Sequence, residues 1–341
     1  MKRILSLILC IFLCLGLWGC GGETPAQTEP TPETTQTEET EPVATEQEEE
    51  AKVEKILIVG NSHSGDTFWL LQQVFDAHYD KDVMLGYLYY SGCTIIKHLQ
   101  FALNNDAVYA YRLNYTGKDR GVWDDMKNVT LAAALSDQKW DVIIFQADEG
   151  DMRLESLNLS QRRQLEDYVR DYLTEPYVFV WNTTWSDAGN GPVYDPSWPV
   201  QPSATYAERL TRDYGWDPAR QFDNMVTQAR DYILTDDTYA KAICPGAAIM
   251  YTILTMELPQ TDIYRDYTHL TEFGRLIASY AFYTQYTGQM VDEIRIDVVP
   301  ERLRSSRFKT AGDVIVTPEM KEIILEAVSY AFEHPFEVPT K

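Results

Sequence analysis

The sequence has few basic residues for its length. Its 341 residues include 29 Lys and Arg against 52 Asp and Glu, so the formal charge is −23. Proteins that bind nucleic acid do so with Lys and Arg that replace the counterions around phosphate, and no basic stripe is present here. The composition therefore argues against a nucleic-acid partner.

Cysteine is also scarce where a folded domain would use it. Three of the five cysteines, at positions 10, 14 and 20, lie in or next to the N-terminal apolar segment, which leaves only Cys93 and Cys244. Two thiols in so long a chain do not make a disulfide framework. Whether they form a single bridge is left open, because the sequence does not give the distance between their Cα atoms.

The common cofactor and metal motifs are missing as well. No Gly-rich dinucleotide turn follows the first predicted strand, and no phosphate loop with Lys before Ser or Thr occurs. His and Cys do not cluster at the spacing of metal ligands. We therefore expect a protein that uses neither a metal nor an organic cofactor.

The N-terminus has the pattern of an export signal. Two basic residues precede an apolar run over residues 4–18, which is short for a membrane span. The run ends in Leu17-Trp18-Gly19-Cys20, which resembles a bacterial lipobox. We predict a lipoprotein signal peptide at residues 1–19 and a lipid anchor on Cys20, at the outer face of the bacterial cytoplasmic membrane. An ordinary secretory signal is the alternative.

Residues 20–52 form a predicted tether. Residues 21–50 contain ten Glu and no Lys, Arg or Asp, with much Thr, Pro and Gln and hardly any aromatic or aliphatic residue. Such a segment cannot bury enough apolar surface to offset chain entropy, and its like charges extend it. We expect a disordered acidic spacer, followed by a single domain over residues 53–341.

The body alternates short apolar runs with segments of helical periodicity. Strands are predicted at residues 54–60, 83–89, 140–145, 177–181 and 240–244, and helices at 67–79, 94–103, 160–173, 204–214, 219–234, 246–256 and 271–286. This alternation predicts an α/β fold in which a central parallel sheet is covered on both faces, a three-layer α/β/α sandwich. A Tyr-rich segment at 107–123 breaks the rhythm and predicts an inserted hairpin. In such a sheet, ligands bind beyond the carboxyl ends of the strands.

The loop after the first predicted strand contains a candidate nucleophile. It reads Gly60-Asn61-Ser62-His63-Ser64-Gly65-Asp66 and places a Ser just past the strand, close to a helix N-terminus. Backbone N–H groups at such a turn can face the oxyanion of acyl transfer, and a helix N-terminus favours negative charge. Gly, Asn and Ser also end many parallel strands in loops that have no catalytic role. Ser62 alone therefore does not show whether this loop is catalytic or only structural.

A nucleophilic Ser needs a base, and His269 has the most suitable surroundings of the five His. It follows Asp266 by three residues, just before a helix. On a turn, that spacing can bring the carboxylate to the imidazole Nδ1–H and leave Nε2 free to accept a proton. The alternative is a helix-terminal Asp beside a surface His. His98 is expected to pack or form hydrogen bonds within its own surroundings. His63 is expected to point away from Ser62, because the two residues are adjacent in the sequence.

Several short blocks occur in a fixed order along the chain. They are Gly60-Asn61-Ser62, Tyr90-Ser91-Gly92-Cys93-Thr94 followed by His98, Trp140-Asp141-Val142-Ile143-Ile144-Phe145-Gln146, Ile243-Cys244-Pro245-Gly246, and Asp266-Tyr267-Thr268-His269. This order resembles the blocks of the SGNH hydrolases, the GDSL-like esterase superfamily, and most of all a bacterial branch of uncharacterised SGNH-like proteins whose first block is Gly-Asn-Ser. The resemblance spans residues 55–287 and implies a flavodoxin-like fold.

The resemblance also implies roles for the residues of the blocks. Ser62 would be the nucleophile, His269 the general base and then acid, and Asp266 the residue that orients His269. The oxyanion hole would consist of the backbone N–H groups of Ser62 and Gly92 together with a side-chain amide.

The source of that amide is where this chain departs from the superfamily. The usual Gly-x-Asn-Asp block is missing, and Gln146 ends the corresponding strand with the same amide on a longer stem. Asn182, at the end of the next strand, is the second candidate. Asn61, Asn182 and Trp185 are predicted substrate contacts.

The resemblance implies an extracytoplasmic serine esterase that removes acyl groups such as acetyl from carbohydrate through an acyl-enzyme. A non-catalytic glycan-binding lipoprotein of the same fold is one alternative. An O-acyltransferase is another, because it would share the acyl-enzyme. Residues 51–341 keep a formal charge of −15, which favours neutral acylated glycans over anionic polymers as substrates.

Overall fold

The computed structural model describes five stretches of the chain: residues 53–117, 124–147, 155–189, 203–300 and 313–340. The predicted signal peptide, the lipidation site at Cys20 and the acidic spacer lie outside them. Those predictions stay predictions.

In the described residues, a seven-stranded sheet forms the middle of the domain. Its strands are β1 (Glu54–Gly60), β2 (Val83–Tyr89), β3 (Tyr109–Tyr115), β4 (Asp124–Val129), β5 (Val142–Ala147), β6 (Val178–Thr183) and β7 (Tyr239–Ile243). The strand order is β4-β3-β2-β1-β5-β6-β7. Strands β2, β1, β5, β6 and β7 pair in parallel, whereas β3 pairs antiparallel with both β2 and β4. The sheet is therefore mixed but mostly parallel.

Helices connect the strands and flank the sheet. They are α1 (Ser62–His78), α2 (Ile95–Asn104), α3 (Leu131–Asp137), α4 (Glu155–Arg170), α5 (Ala204–Tyr214), α6 (Pro218–Tyr232), α7 (Gly246–Leu254), α8 (Gln260–Ile263), α9 (Glu272–Thr287) and α10 (Pro318–Glu333). A short two-stranded sheet pairs β8 (Val298–Val299) with β9 (Val314–Ile315). Helix α1 packs on α9, which also contacts α7 and α10, while α2 packs on α4 and contacts α3. The predicted α/β sandwich is confirmed.

The centre of the sheet is also the centre of the core. Strand β1 lies between β2 and β5, and its residues Ile56 to Val59 are fully buried. A strand that is covered on both faces is expected to be apolar at every position rather than at alternate ones.

No helix in the described part of the chain is both long enough and apolar enough to cross a bilayer.

Helix α1 and the hairpin are among the elements whose bounds differ from the sequence prediction. Helix α1 begins at Ser62 rather than at residue 67, because Asn61 caps it and the predicted polar loop forms its first turn. The hairpin was predicted over residues 107–123, but its second strand, β4, begins only at Asp124. The hairpin lies at an edge of the sheet, because β1 occupies one side of β2 and β3 pairs with the other.

The sheet order sets the position of a ligand site. Strand β1 is followed along the chain by β2 on one side, whereas its other neighbour is β5. Such a reversal of strand order opens a crevice at the carboxyl ends of the two strands, where α/β proteins bind ligands. Here the crevice lies where β1 passes into α1 and where β5 ends in Gln146 and Ala147.

The two cysteines of the domain are not bridged. Cys93 and Cys244 are both buried thiols, and neither forms a disulfide. Burial raises the pKa of Cys244 to about 12, because a thiolate there would lose its hydration. The disulfide bond between Cys93 and Cys244, which the sequence left open, is therefore absent.

We predict that both thiols resist alkylation in the native protein. Iodoacetamide at pH 8 should leave Cys93 and Cys244 unmodified in buffer and should modify both in urea, because only unfolding exposes them and restores an ordinary thiol. Peptide mass spectrometry reads each site separately. A peptide that links the two cysteines, or fast native alkylation of either, would contradict the structure.

Candidate active site

Ser62 is the first residue of α1, directly beyond the end of β1. Asn61 caps the helix, since its Oδ1 accepts the backbone N–H of His63 at 3.0 Å. Gly60 allows the strand and the helix to meet closely, because a Cβ there would lie 2.7 Å from Oε1 of Gln146. Ser62 is thereby held at a helix N-terminus, where backbone N–H groups lack helical partners and favour an anion.

The loop after β2 runs beside this helix start. The carbonyl of Cys93 accepts the side-chain amide of Asn61 at 3.2 Å, and the carbonyl of Gly60 accepts the N–H of Tyr90 at 3.4 Å. Gly92 has a φ of +56°, a left-handed conformation that favours glycine. The loop therefore brings Ser91 and Gly92 next to the N-terminus of α1.

Asp266 and His269 form the predicted hydrogen-bonded pair. Nδ1 of His269 lies 2.9 Å from one carboxylate oxygen of Asp266 and 3.0 Å from the other. The same carboxylate accepts the backbone N–H groups of Thr268 at 2.9 Å and of His269 at 2.8 Å. A carboxylate at Nδ1 requires a proton on that nitrogen, which leaves Nε2 as the acceptor.

The carboxylate of Asp266 stays ionised although it is fully buried. Burial by itself raises its pKa, but the hydrogen bond and charge of His269 and the two backbone N–H donors more than offset this, so the net pKa is lowered. A permanently charged carboxylate can both orient the imidazole and stabilise the imidazolium that forms when Nε2 takes a proton.

A second buried carboxylate, Asp66, holds the His269 loop against α1. It accepts the backbone N–H of Leu270 at 2.8 Å. It also forms ion pairs with Arg275 of α9, at 2.7 Å from Nη2, and with Arg265, at 3.1 Å from Nη1. Since Asp66 lies one turn after Ser62, these bonds connect the helix of Ser62 to the loop of His269.

The surroundings of Asp66 keep it ionised. Burial raises its pKa, yet the positive charges of Arg265 and Arg275, with the Leu270 N–H, lower it to well below the ordinary aspartate value. An isolated buried carboxylate would be protonated instead, so the two guanidinium groups are what make this arrangement stable.

The segment after β6 supports the other side of the same loop. Nε1 of Trp185 donates to the carbonyl of Thr268 at 2.9 Å. The N–H of Ala188 donates to the carbonyl of Tyr267 at 2.8 Å. The loop that contains His269 is therefore fixed between α1 and the segment after β6, which is the rigidity that a positioned base requires.

These elements surround a pocket of about 340 Å³. Polar side chains dominate its lining among the described residues, which comprises Asn61, Ser62, His63, Ser91, Gly92, Thr94, Tyr206, Arg209, Tyr267, Thr268 and His269. Ser62 and His269 thus face the same space. Within the described residues no hydrogen bond joins Ser62 Oγ to His269, and such bonds are often long before a substrate is bound.

His63 and the residues of α5 are pocket residues that the sequence did not indicate. Nε2 of His63 lies 2.8 Å from Oγ1 of Thr268, and its ring centroid lies 6.1 Å from that of His269. The expectation that His63 points away is wrong, because the first helical turn directs it towards the His269 loop. Tyr206 enters from α5, and its ring lies 5.5 Å from that of Tyr267.

Three predicted site residues, Gln146, Asn182 and Trp185, do not line the pocket. Gln146 is fully buried, and its Oε1 accepts the backbone N–H of Asn61 at 3.0 Å and the hydroxyl of Ser64 at 2.9 Å. Two donors facing one atom require the oxygen there, so the amide nitrogen of Gln146 points away from the start of α1. Trp185 and Asn182 are each 1% exposed. None of the three lines the pocket, so their predicted roles stay predictions without geometric support.

The protein is thus of the α/β class. Ser62, His269 and its hydrogen-bonded partner Asp266 lie at the carboxyl edge of its mostly parallel sheet. Residues 55–194 match the family model described as Domain of unknown function (DUF4886). The matched residues include Ser62 and Gly92 and end before Asp266 and His269.

Comparison with solved structures shows the same fold. The chain is similar to a DUF4886 family protein from Bacteroides uniformis ATCC 8492 whose crystal structure is known, with a TM-score of 0.66 and 21% sequence identity. The similarity covers 84% of this chain and 98% of that one. A comparison with curated proteins found no match.

We predict that Asp66→Asn lowers the free energy of unfolding by about 3–5 kcal/mol at pH 7, because it leaves the buried guanidinium of Arg275 and the partly buried one of Arg265 without their carboxylate. Asp66 has a lowered folded-state pKa, so its contribution is complete above the unfolded aspartate value of about 4 and is lost as the pH falls below it. Urea unfolding from pH 7 to pH 3 should therefore show a smaller acid-induced loss for Asp66→Asn than for wild type.

Asp297→Asn is the matched control for this measurement. Asp297 is 76% exposed and contacts Lys321, so its removal should change stability by less than about 1 kcal/mol. Equal pH dependence of wild type and Asp66→Asn would show that Asp66 is not held ionised by its neighbours.

Proposed function

We propose that this protein is an exported serine esterase of SGNH type that hydrolyses acyl esters, with acetyl esters of carbohydrate as the main class. We further propose that it is attached to the outer face of the bacterial cytoplasmic membrane through lipid on Cys20. The observation that carries the catalytic part is that Ser62, at a helix N-terminus, and His269, which is hydrogen-bonded to the buried Asp266, line one pocket.

The first chemical step follows from these positions. Nε2 of His269 takes the proton of Ser62 Oγ, which attacks the ester carbonyl and forms a tetrahedral oxyanion. The backbone N–H groups of Ser62 and Gly92 are the donors proposed for that oxyanion. As the intermediate collapses, the alcohol leaves with the proton from His269, and the acyl group stays on Ser62.

The second step uses water. His269 takes a proton from a water molecule, whose oxygen attacks the acyl carbon, and the carboxylic acid leaves as Ser62 regains its proton. Asp266 keeps the imidazole in one orientation through both steps. All proton transfers in this scheme involve protein groups, water and substrate.

The character of the pocket supports a carbohydrate ester. Six of the described lining residues present hydroxyl groups: Ser62, Ser91, Thr94, Tyr206, Tyr267 and Thr268. Tyr rings and hydroxyls together suit the apolar faces and polar rims of sugar rings. The pocket volume is at the lower end of the range for small-molecule sites, which fits one sugar residue with its acyl group.

A non-catalytic glycan-binding protein is the second candidate. Two observations favour it: no hydrogen bond joins Ser62 to His269 among the described residues, and the oxygen rather than the nitrogen of the Gln146 amide faces the start of α1. Loss of one oxyanion donor costs about 10²–10³ in rate, so the position of this amide bears directly on activity.

We predict that a fluorophosphonate probe labels wild type and that Ser62→Ala abolishes labelling, because only an activated Ser reacts with such a probe. Mass spectrometry of the labelled peptide identifies the modified residue. Ser160→Ala, on the exposed face of α4, is the control and should label as wild type does. Persistent labelling of Ser62→Ala, or labelling at Ser91, would overturn the assignment of the nucleophile.

We predict that His269→Ala reduces hydrolysis of 4-nitrophenyl acetate by about 10²–10⁴-fold, because the general base is lost while the pocket remains. The measurement is kcat by nitrophenolate release, with unfolding curves to show that the variant is folded. His334→Ala is the control, since that residue caps α10 far along the chain from the site. Wild type and His269→Ala with the same low rate would favour the glycan-binding candidate.

A further inference from the structure

The pocket contains two imidazoles, and the proposed mechanism uses one of them. His269 is the base, whereas His63 of α1 lines the same pocket and takes part in neither chemical step. We infer that His63 is a positioning residue that sets the distance between the nucleophile and the base through its hydrogen bond to Thr268. This inference rests on the proposed esterase function and adds to it the residue that holds the two reacting groups at their separation.

The side chain of His63 is held on two sides. Its Nε2 lies 2.8 Å from Oγ1 of Thr268, and its ring meets the indole of Trp185 edge-on, with 5.2 Å between the ring centroids. Only 5% of His63 is exposed. Because buried side chains are closely packed, the imidazole is confined to the orientation that makes this hydrogen bond.

The backbone of His63 is fixed to the centre of the sheet. Its N–H donates to Oδ1 of Asn61 at 3.0 Å, and the N–H of Asn61 donates in turn to Oε1 of Gln146 at 3.0 Å. Gln146 belongs to β5 and is fully buried. A series of hydrogen bonds therefore leads from the core of the sheet through His63 to Thr268.

The hydrogen bond between His63 and Thr268 makes a short connection between the reacting groups. Along the chain, His63 directly follows the nucleophile, and Thr268 directly precedes the base. A displacement of about 1 Å between reacting groups can cost about 10²-fold in rate. A contact that lies one residue from each group therefore acts directly on their separation.

The loop that contains His269 is held to α1 on both sides of the imidazole. His63 binds Thr268 on one side, and Asp66 accepts the backbone N–H of Leu270 at 2.8 Å on the other. His63 and Asp66 are three residues apart, so they lie on one face of the helix. The Asp66 contact includes buried ion pairs, whereas a hydrogen bond between an imidazole and a hydroxyl contributes much less to stability. Loss of the His63 contact should therefore change the rate more than the stability.

The test measures kcat and KM for 4-nitrophenyl acetate, which has no sugar hydroxyls that Thr268 could bind. Thr268→Val keeps the shape of the side chain without its hydroxyl, and His63→Phe keeps a planar ring without Nε2. We expect each variant to lower kcat by about 10- to 100-fold, because the reacting groups are displaced. KM should change by less than about threefold, because the pocket remains. Thr268→Ser, which restores a hydroxyl, should recover most of the rate lost in Thr268→Val.

A double variant and a distant threonine are the controls. If both side chains act through one bond, combining His63→Phe with Thr268→Val should cost no more than the larger single loss. Thr235 is exposed after α6, and its hydroxyl donates to the carbonyl of Asp231 at 2.9 Å. Thr235→Val thus removes a threonine hydrogen bond outside the pocket and should keep the wild-type kcat. Losses that multiply in the double variant, or no recovery in Thr268→Ser, would overturn the inference.

The same variants distinguish failure of this inference from failure of the esterase function. If wild type hydrolyses the ester and both single variants keep its kcat, the inference is overturned and the esterase function stands. If wild type neither hydrolyses the ester nor reacts with a fluorophosphonate, the esterase function fails. Amide hydrogen exchange of peptides that span residues 266–271 then decides the contact. Faster exchange in both single variants than in wild type and Thr235→Val supports it, and unchanged exchange overturns it.

Discussion

The carboxylate of Asp66 is the contact on which the site depends. It lies on the first turns of α1, one turn after Ser62, and binds Arg275 of α9, Arg265 and the backbone of Leu270. Two segments more than 190 residues apart in the sequence are thereby held at a fixed separation. A buried carboxylate is tolerated only because two guanidinium groups and a backbone N–H replace its lost hydration. This makes the relative position of nucleophile and base a property of the core rather than of a surface loop.

Asp266 is a second buried carboxylate whose charge is stabilised by the groups that bond to it. It is fully buried and ionised, and it bonds to the side chain and the backbone of His269. On the far side of the loop, Trp185 donates to Thr268. The imidazole is therefore oriented by its own carboxylate, while the loop that contains it is oriented by its neighbours.

Much of this arrangement could be predicted from local pattern. The fully apolar run of β1, the Ser after it and the Asp-x-x-His spacing are local features, and each is where the pattern indicated. The role of Gln146 could not be predicted, because an amide offers both a donor and an acceptor and only its neighbours decide which end is used. The orientation of His63 was misjudged for a related reason: α1 starts at Ser62, so the turn was helical rather than a loop.

The sequence by itself determined the α/β class, the strand that forms the centre of the core, and the Asp266–His269 pair, because each follows from hydrophobic periodicity or from contacts within a few residues. Tertiary structure alone decided the ion pairs of Asp66, the burial of Trp185, the absence of a disulfide between Cys93 and Cys244, and the entry of Arg209 into the pocket. These are contacts between distant segments, and they depend on where each crossover returns along the sheet. Local pattern does not contain that information, whereas the packing of the layers does.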